Sequence, residues 1–246
     1  MSGVGVRLRY AKAGKVRWTS HRDAARIWER ALRRAGVAVA YTEGFSPRPR
    51  LHFGLALPTG YESEAELLDV DLAASAETLD VDLLPGRLSA ALPVGFEVTA
   101  AAALTGAEPS LQQDVTCCSW RIELRGVTIG QAEAAVANAL AAPTLALART
   151  RKGHASVDDV RPAILALSVG GTTPDGQVVV LADLVTHPRA LRPSELLGAC
   201  FPDEADPLDL THRVLRTHQW IERDGARREP LPVSATSQPH ALGACA

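Results

Sequence analysis

The chain has 246 residues, enough for two compact domains of roughly 100 to 120 residues each or for one large one. With 46% hydrophobic and 22% charged residues it has the make-up of a folded protein, which excludes disorder over most of its length; no run nears the roughly 18 apolar residues of a membrane span, and the strand-like start after Met1 leaves no leader to remove, so a cytoplasmic protein without a membrane partner is expected. The net charge of -2 hides a segregation: residues 1–50 carry +9, residues 51–112 carry -9, and the remainder is nearly neutral.

Residues 4–18 open as a strand in which Val6, Leu8 and Tyr10 alternate with Gly5, Arg7 and Arg9, so both arginines share one face of a half-buried strand. Lys12 and Lys15 fall in the loop that follows, and Arg17 leads to Ser20-His-Arg-Asp23, a helix start with the form of a capping box. In the helix, Ala24, Ile27, Trp28, Ala31, Leu32 and Ala35 recur three or four apart and form its core face. Arg22, Arg26, Arg30, Arg33 and Arg34 stack along the opposite side. Gly36 stops the helix, residues 37–41 resume as a strand, and Thr42-Glu-Gly-Phe-Ser-Pro-Arg-Pro-Arg50 reads as a loop because of its glycine and two prolines.

Strands are expected at residues 51–57, 65–72 and 96–104, and a helix within 79–92 that Pro85-Gly86 interrupts. The order is approximately β-α-β-β-α-β, that of a ferredoxin-like fold. From residue 112 the order repeats: strand 115–124, helix 128–140, strands 145–150, 161–169 and 177–184, helix 193–200 and strand 213–222. The expected fold class is therefore α+β, two tandem ferredoxin-like units at 1–106 and 112–222 with a mobile Pro/Ser/Ala-rich tail at 223–246.

Three successive elements near the N-terminus are basic: the strand and loop (Arg7, Arg9, Lys12, Lys15, Arg17), the helix, and the Gly-Pro loop (Arg48, Arg50). Dense like charge costs stability unless a polyanion or an acidic partner relieves it, and ten arginines against two lysines favour planar, bidentate phosphate contacts. The bland competitor is neutralisation by the acidic stretch 62–82 of the same half. Tyr41 and Phe45 flank Gly44 and either offer ring faces to unpaired bases or cap the core. His21 and His52 beside the basic stripe are the candidates for proton transfer at a phosphodiester, and no nucleophile or metal motif accompanies them. Arg149, Arg151 and Lys152 form a second basic turn that would lengthen the track, and Arg192-Pro-Ser-Glu195 starts a helix whose free N–H groups suit a phosphate or merely open the helix. Cys117, Cys118, Cys200 and Cys245 match no metal or disulfide framework and read as reduced thiols; no cofactor is expected.

Ser20-His-Arg-Asp, Arg30-Ala-Leu-Arg-Arg-Ala, Ala40-Tyr-Thr-Glu-Gly-Phe-Ser-Pro-Arg-Pro-Arg and Ala56-Leu-Pro-Thr-Gly resemble the radical SAM-associated family of unknown function, in its stand-alone form. Asp159-Val-Arg-Pro162 and Leu191-Arg-Pro-Ser-Glu-Leu-Leu197 resemble the later motifs of that family. The resemblance implies a radical S-adenosylmethionine enzyme as partner, while the three-cysteine cluster motif of such an enzyme is absent from this chain. Tandem ferredoxin-like units with basic loops also look, in architecture, like the RNA-processing endonucleases of CRISPR systems. The residues thus admit three readings: an accessory protein that binds tRNA or rRNA for a modification or processing enzyme, a metal-independent ribonuclease using His21 or His52, and a protein adaptor without RNA contact.

Overall fold

A computed structural model of the chain describes residues 5–73, 79–104, 109–151, 154–204 and 206–231. It divides into two compact units, one running to Asp114 and taking back the chain from Arg228, the other spanning Val115–Arg227.

The first unit contains β1 (Gly5–Lys12), a 3-10 turn (Gly14–Trp18), α1 (His21–Arg34), β2 (Leu51–Phe53), β3 (Glu62–Asp71), α2 (Leu84–Ala91), β4 (Phe96–Leu104) and the short α3 (Leu111–Asp114). β1 lies antiparallel between β4 and β3, and β2 adds to β3. α1 begins where the sequence reading put it: the Ser20 hydroxyl accepts from Asp23 N–H at 3.1 Å, replacing one of the bonds that a first helical turn lacks. Ala24, Trp28, Ala31 and Leu32 bury one face of the helix against Val6, Leu8, Tyr10, Leu68 and Val70 of the sheet. Gly36, at φ +67°, then turns the chain off the helix in the left-handed conformation that suits glycine. Every residue of β1 is buried, so the strand is covered on both faces. The strand expected at 37–41 contributes only isolated bridges, Val39 to Leu72 and Tyr41 to Pro49.

The second unit contains β5 (Cys117–Leu124), α4 (Ile129–Ala141), β6 (Ala146–Arg151), β7 (His154–Asp159), β8 (Ile164–Thr172), β9 (Val178–Val185), α5 (Pro193–Cys200), β10 (Thr211–Arg223) and β11 (Ala226–Arg228). Its strands run β10-β5-β9-β8, all antiparallel. α4 is opened by a full capping box, with Thr128 and Gln131 bonding each other's backbone N–H. Residues from 232, the body of the segment read as a mobile tail, lie outside the described residues.

The α+β class stands, but the expectation of two tandem ferredoxin-like units is overturned. The strands build a nine-stranded sheet, and β6 and β7 pair apart as a two-stranded one. The expectation rested on element order, which says which elements succeed one another but not where a sheet stops. Strand edges carry unpaired N–H and C=O groups, and their partners are set by tertiary packing that order does not encode. The architectural likeness to CRISPR endonucleases falls with it. Among the described residues, no helix is long and apolar enough to cross a membrane.

Candidate nucleic-acid interface

The basic residues of β1, and Arg17 of the 3-10 turn, are engaged inside the first unit. Arg7 stands opposite Asp69 in the β1/β3 register and grips it with two bonds, Nε to Oδ1 at 2.8 Å and Nη2 to Oδ2 at 2.9 Å. Arg9 donates through Nη1 to both carboxylate oxygens of Glu229, at 3.0 and 2.9 Å, and through Nε to the Glu64 carbonyl. Lys12 is buried and donates to the Thr19 carbonyl at 2.9 Å; desolvation lowers its pKa, against the opposing pull of Glu66. Arg17 lies 3.2 Å from Glu62, a buried carboxylate that also accepts from Gly14 N–H at 2.9 Å. The acidic stretch therefore neutralises part of the basic one: Glu62 and Asp69 each hold one of its cations.

The helix is different. Arg22, Arg30 and Arg33 are exposed and form no ion pair with the described residues. Arg26 is only 3.5 Å from Asp23, with both side chains more than half exposed, a pair of little strength in water. Arg34 donates to the Ala91 carbonyl, which leaves its charge uncompensated. At 1.5 Å of rise per residue, the stripe from Arg22 to Arg33 is about 17 Å long. Lys15 is likewise exposed and without an ion pair among the described residues.

Residues 41–48 form an exposed loop held at its neck by Thr42 N–H to the Arg48 carbonyl at 2.9 Å, Arg48 N–H to Thr42 Oγ1 at 3.0 Å and Arg50 N–H to the Ala40 carbonyl at 2.9 Å. Gly44, at φ +120°, makes the bend that presents Phe45 entirely to solvent. Tyr41 is half exposed, Arg48 has no ion pair among the described residues, and Arg50 stands 3.8 Å from Asp71.

His21 and His52, far apart in sequence, line one cleft of about 610 Å³ in this unit. β2 brings His52 there by pairing with β3, which sets its Nε2 3.4 Å from Asp71 Oδ2. His21, in the first turn of α1, meets the ring of Phe53 edge-on at 5.1 Å. Asp69 and Asp71 share the cleft, so two imidazoles and two carboxylates face one space.

In the second unit Arg149 does not extend a basic track. Its guanidinium makes paired bonds of 2.9 Å to Glu195 and a third of 2.9 Å to Asp158. Burial alone would lower its pKa; these bonds outweigh it and raise it. The start of α5 is also occupied, since Glu195 Oε2 accepts from Arg192 N–H at 2.9 Å and puts a negative charge where a phosphate would sit. The side chain of Arg151 and the whole of Lys152 lie outside the described residues.

Two residues escaped the sequence reading. Trp18 is 64% exposed beside Arg17. A strand-to-helix connection gives no periodicity from which to infer that. Arg87, the lone base of the acidic segment, reaches the carboxyl end of α1 by donating to the Ala35 carbonyl. Its isolation among acids was the only signal it offered.

Fold and surface together define a class: an α+β protein whose N-terminal unit sequesters its strand cations and displays an arginine-faced helix, with aromatic side chains open to solvent. The chain belongs to a family of uncharacterised proteins conserved in bacteria (DUF2344), whose model matches residues 6–193. No curated protein matches it in sequence.

Proposed function

We propose that the protein is an RNA-binding accessory factor that serves an enzyme modifying or processing tRNA or rRNA, with a radical SAM enzyme as the partner suggested by the sequence resemblance. One observation carries this reading: the same unit that buries and pairs Arg7 and Arg9 leaves Arg22, Arg30 and Arg33 exposed along one helix face, without an ion pair among the described residues. Arginine stripes of this kind bind phosphates by counterion release, and the exposed Phe45 and Tyr41 suit contacts with unpaired bases. Crosslinking the protein to cellular RNA and sequencing what is recovered tests it. Enrichment of tRNA or rRNA that is lost in the Arg22→Ala/Arg30→Ala/Arg33→Ala variant is the expected result, and equal recovery by both proteins refutes it. Co-purification with and without nuclease separates a protein adaptor from an RNA binder, because an adaptor keeps its partners after the RNA is destroyed.

A metal-independent ribonuclease is a second reading, favoured by the cleft shared by His21, His52 and Asp71. There His52, oriented by Asp71, would take the proton of a ribose 2′-hydroxyl while His21 protonates the leaving oxygen. RNA incubated with the protein and a chelator is expected to be cleaved under this reading, and cleavage no greater than with His21→Ala removes it.

A further inference from the structure

We infer that Trp18 is a stacking platform for an unpaired nucleobase, so that the ligand crossing the start of α1 is single-stranded rather than duplex. This rests on the RNA-binding reading above and goes beyond it by naming the structural class of the RNA and a residue that holds it.

Tryptophan is on average among the well-buried residues, and two others here, Trp28 and Trp120, are 0% and 6% exposed. Trp18 stands at 64%, yet it is positioned by its neighbours. The edge of its six-membered ring lies against Gly60: a Cβ there would sit 2.9 Å from Cζ3 and 3.3 Å from Cη2, so the turn before β3 approaches the indole as closely as only glycine permits. Gly60 N–H donates to the Arg17 carbonyl at 2.9 Å and fixes that turn to the segment carrying the ring. The Arg17 guanidinium lies over the indole, 5.3 Å from its centroid, and is itself held by the buried carboxylate of Glu62. An exposed aromatic held this way loses little further freedom when a second flat group stacks on it.

The surrounding charge selects what that group is. Lys15 precedes the ring by three residues and Arg22 follows it by four, both exposed and without ion pairs among the described residues. Four residues span at most about 14 Å, so Trp18 and the first arginine of the stripe are within reach of a few nucleotides of one strand. A base with a phosphate on either side answers all three groups at once. Bases in a duplex are already stacked on their neighbours and cannot use such a platform, whereas those of loops, bulges and single strands can.

The test uses the full chain with two labelled RNAs of equal length, one an unstructured single strand and the other a blunt-ended duplex paired with its complement along its whole length, read by anisotropy and by intrinsic tryptophan fluorescence. The single strand is expected to quench the wild-type emission. Trp18→Ala should abolish that quenching and weaken single-strand binding by roughly 5- to 150-fold, the range that loss of one base–aromatic stack produces. Duplex binding should change less than about twofold, and Trp18→Phe should recover most of the single-strand affinity. Gly60→Ala, which displaces the ring without removing it, should weaken single-strand binding in the same direction. Circular dichroism is expected to show every variant folded. Unchanged single-strand affinity in Trp18→Ala, or a wild-type preference for the duplex, overturns the inference and leaves the RNA-binding reading standing. If neither RNA binds the wild type, both fall. If Trp18→Ala keeps its RNA affinity but loses a co-purifying protein, Trp18 is a protein contact and the inference is wrong.

Discussion

The uncompensated face of α1 makes a quantitative demand on the salt dependence of RNA binding. Lys15, Arg22, Arg30, Arg33 and Arg48 are five of the exposed cations of the first unit that lack ion pairs among the described residues. If each neutralises one phosphate of a single strand, the slope of log K against log salt is about -3.5, and affinity falls about 100-fold between 50 and 200 mM salt. Replacing Arg22, Arg30 and Arg33 together by alanine leaves two such contacts, a slope of about -1.4 and a fall of about 7-fold over the same range. Alanine is the best helix former and these positions touch no core, so stability should shift by no more than about 0.5 kcal/mol. The assay is fluorescence anisotropy with a labelled single strand at four or more salt concentrations, with urea unfolding of both proteins as control. A slope that is the same in wild type and variant, with both folded, would refute the assignment of this helix to phosphate binding. A shallow slope in the wild type itself would remove the electrostatic basis of the whole proposal.

Asp69→Ala strands the buried Arg7 guanidinium and is expected to lower unfolding free energy by about 3 to 5 kcal/mol, while the paired replacement Arg7→Met/Asp69→Leu should restore most of it; urea titrations of both variants check this. Gly95→Ala sets a Cβ 2.4 Å from the Ala13 carbonyl at a position with φ +99°, so a loss of at least about 2 kcal/mol in the same assay is expected. Burial pushes the Cys200 thiol up to about 11; burial first, and then Asp183, push Cys117 up to about 12. At pH 8, iodoacetamide should accordingly alkylate native Cys117 about a thousandfold more slowly than the unfolded chain, as peptide mapping would report. The Asp159 carboxylate accepts from Leu145 N–H at 2.7 Å and Arg161 N–H at 3.0 Å, bonds that hold its pKa below the ordinary range. A depressed folded-state value adds stability above the ordinary Asp pKa that is lost as pH falls through the lower one. Wild type should therefore lose more stability than Asp159→Asn on acidification below about pH 4.

Local signals were the legible part of the fold. The Ser20 cap, the apolar face of α1 and the bend at Gly36 all follow from residues within one or two turns of each other, where spacing alone decides the geometry. The exposure of the helix arginines follows from the same periodicity, because the face opposite a buried one meets water. β1 was harder. Alternation puts Arg7 and Arg9 on one face of the strand, but whether that face is wet depends on Asp69 and Glu229, 62 and 220 residues away. The meeting of His21 and His52 depends on the register of β2 on β3, which no local pattern in a three-residue strand specifies. Sheet extent was illegible for the same reason: edge pairing is a tertiary choice made by backbone groups that every residue shares.

The bond from Arg9 to Glu229 has a consequence for the order of events during synthesis. At about 5 to 20 residues per second, the carboxylate emerges on the order of 10 to 40 seconds after the arginine it will neutralise. Through that interval the nascent N-terminal unit has a guanidinium bound for a nearly closed site and no counterion for it. Its native arrangement is completed only by nearly the last described stretch of the polypeptide, so a ribosome that stalls midway releases a fragment with an open ionic seam on its sheet.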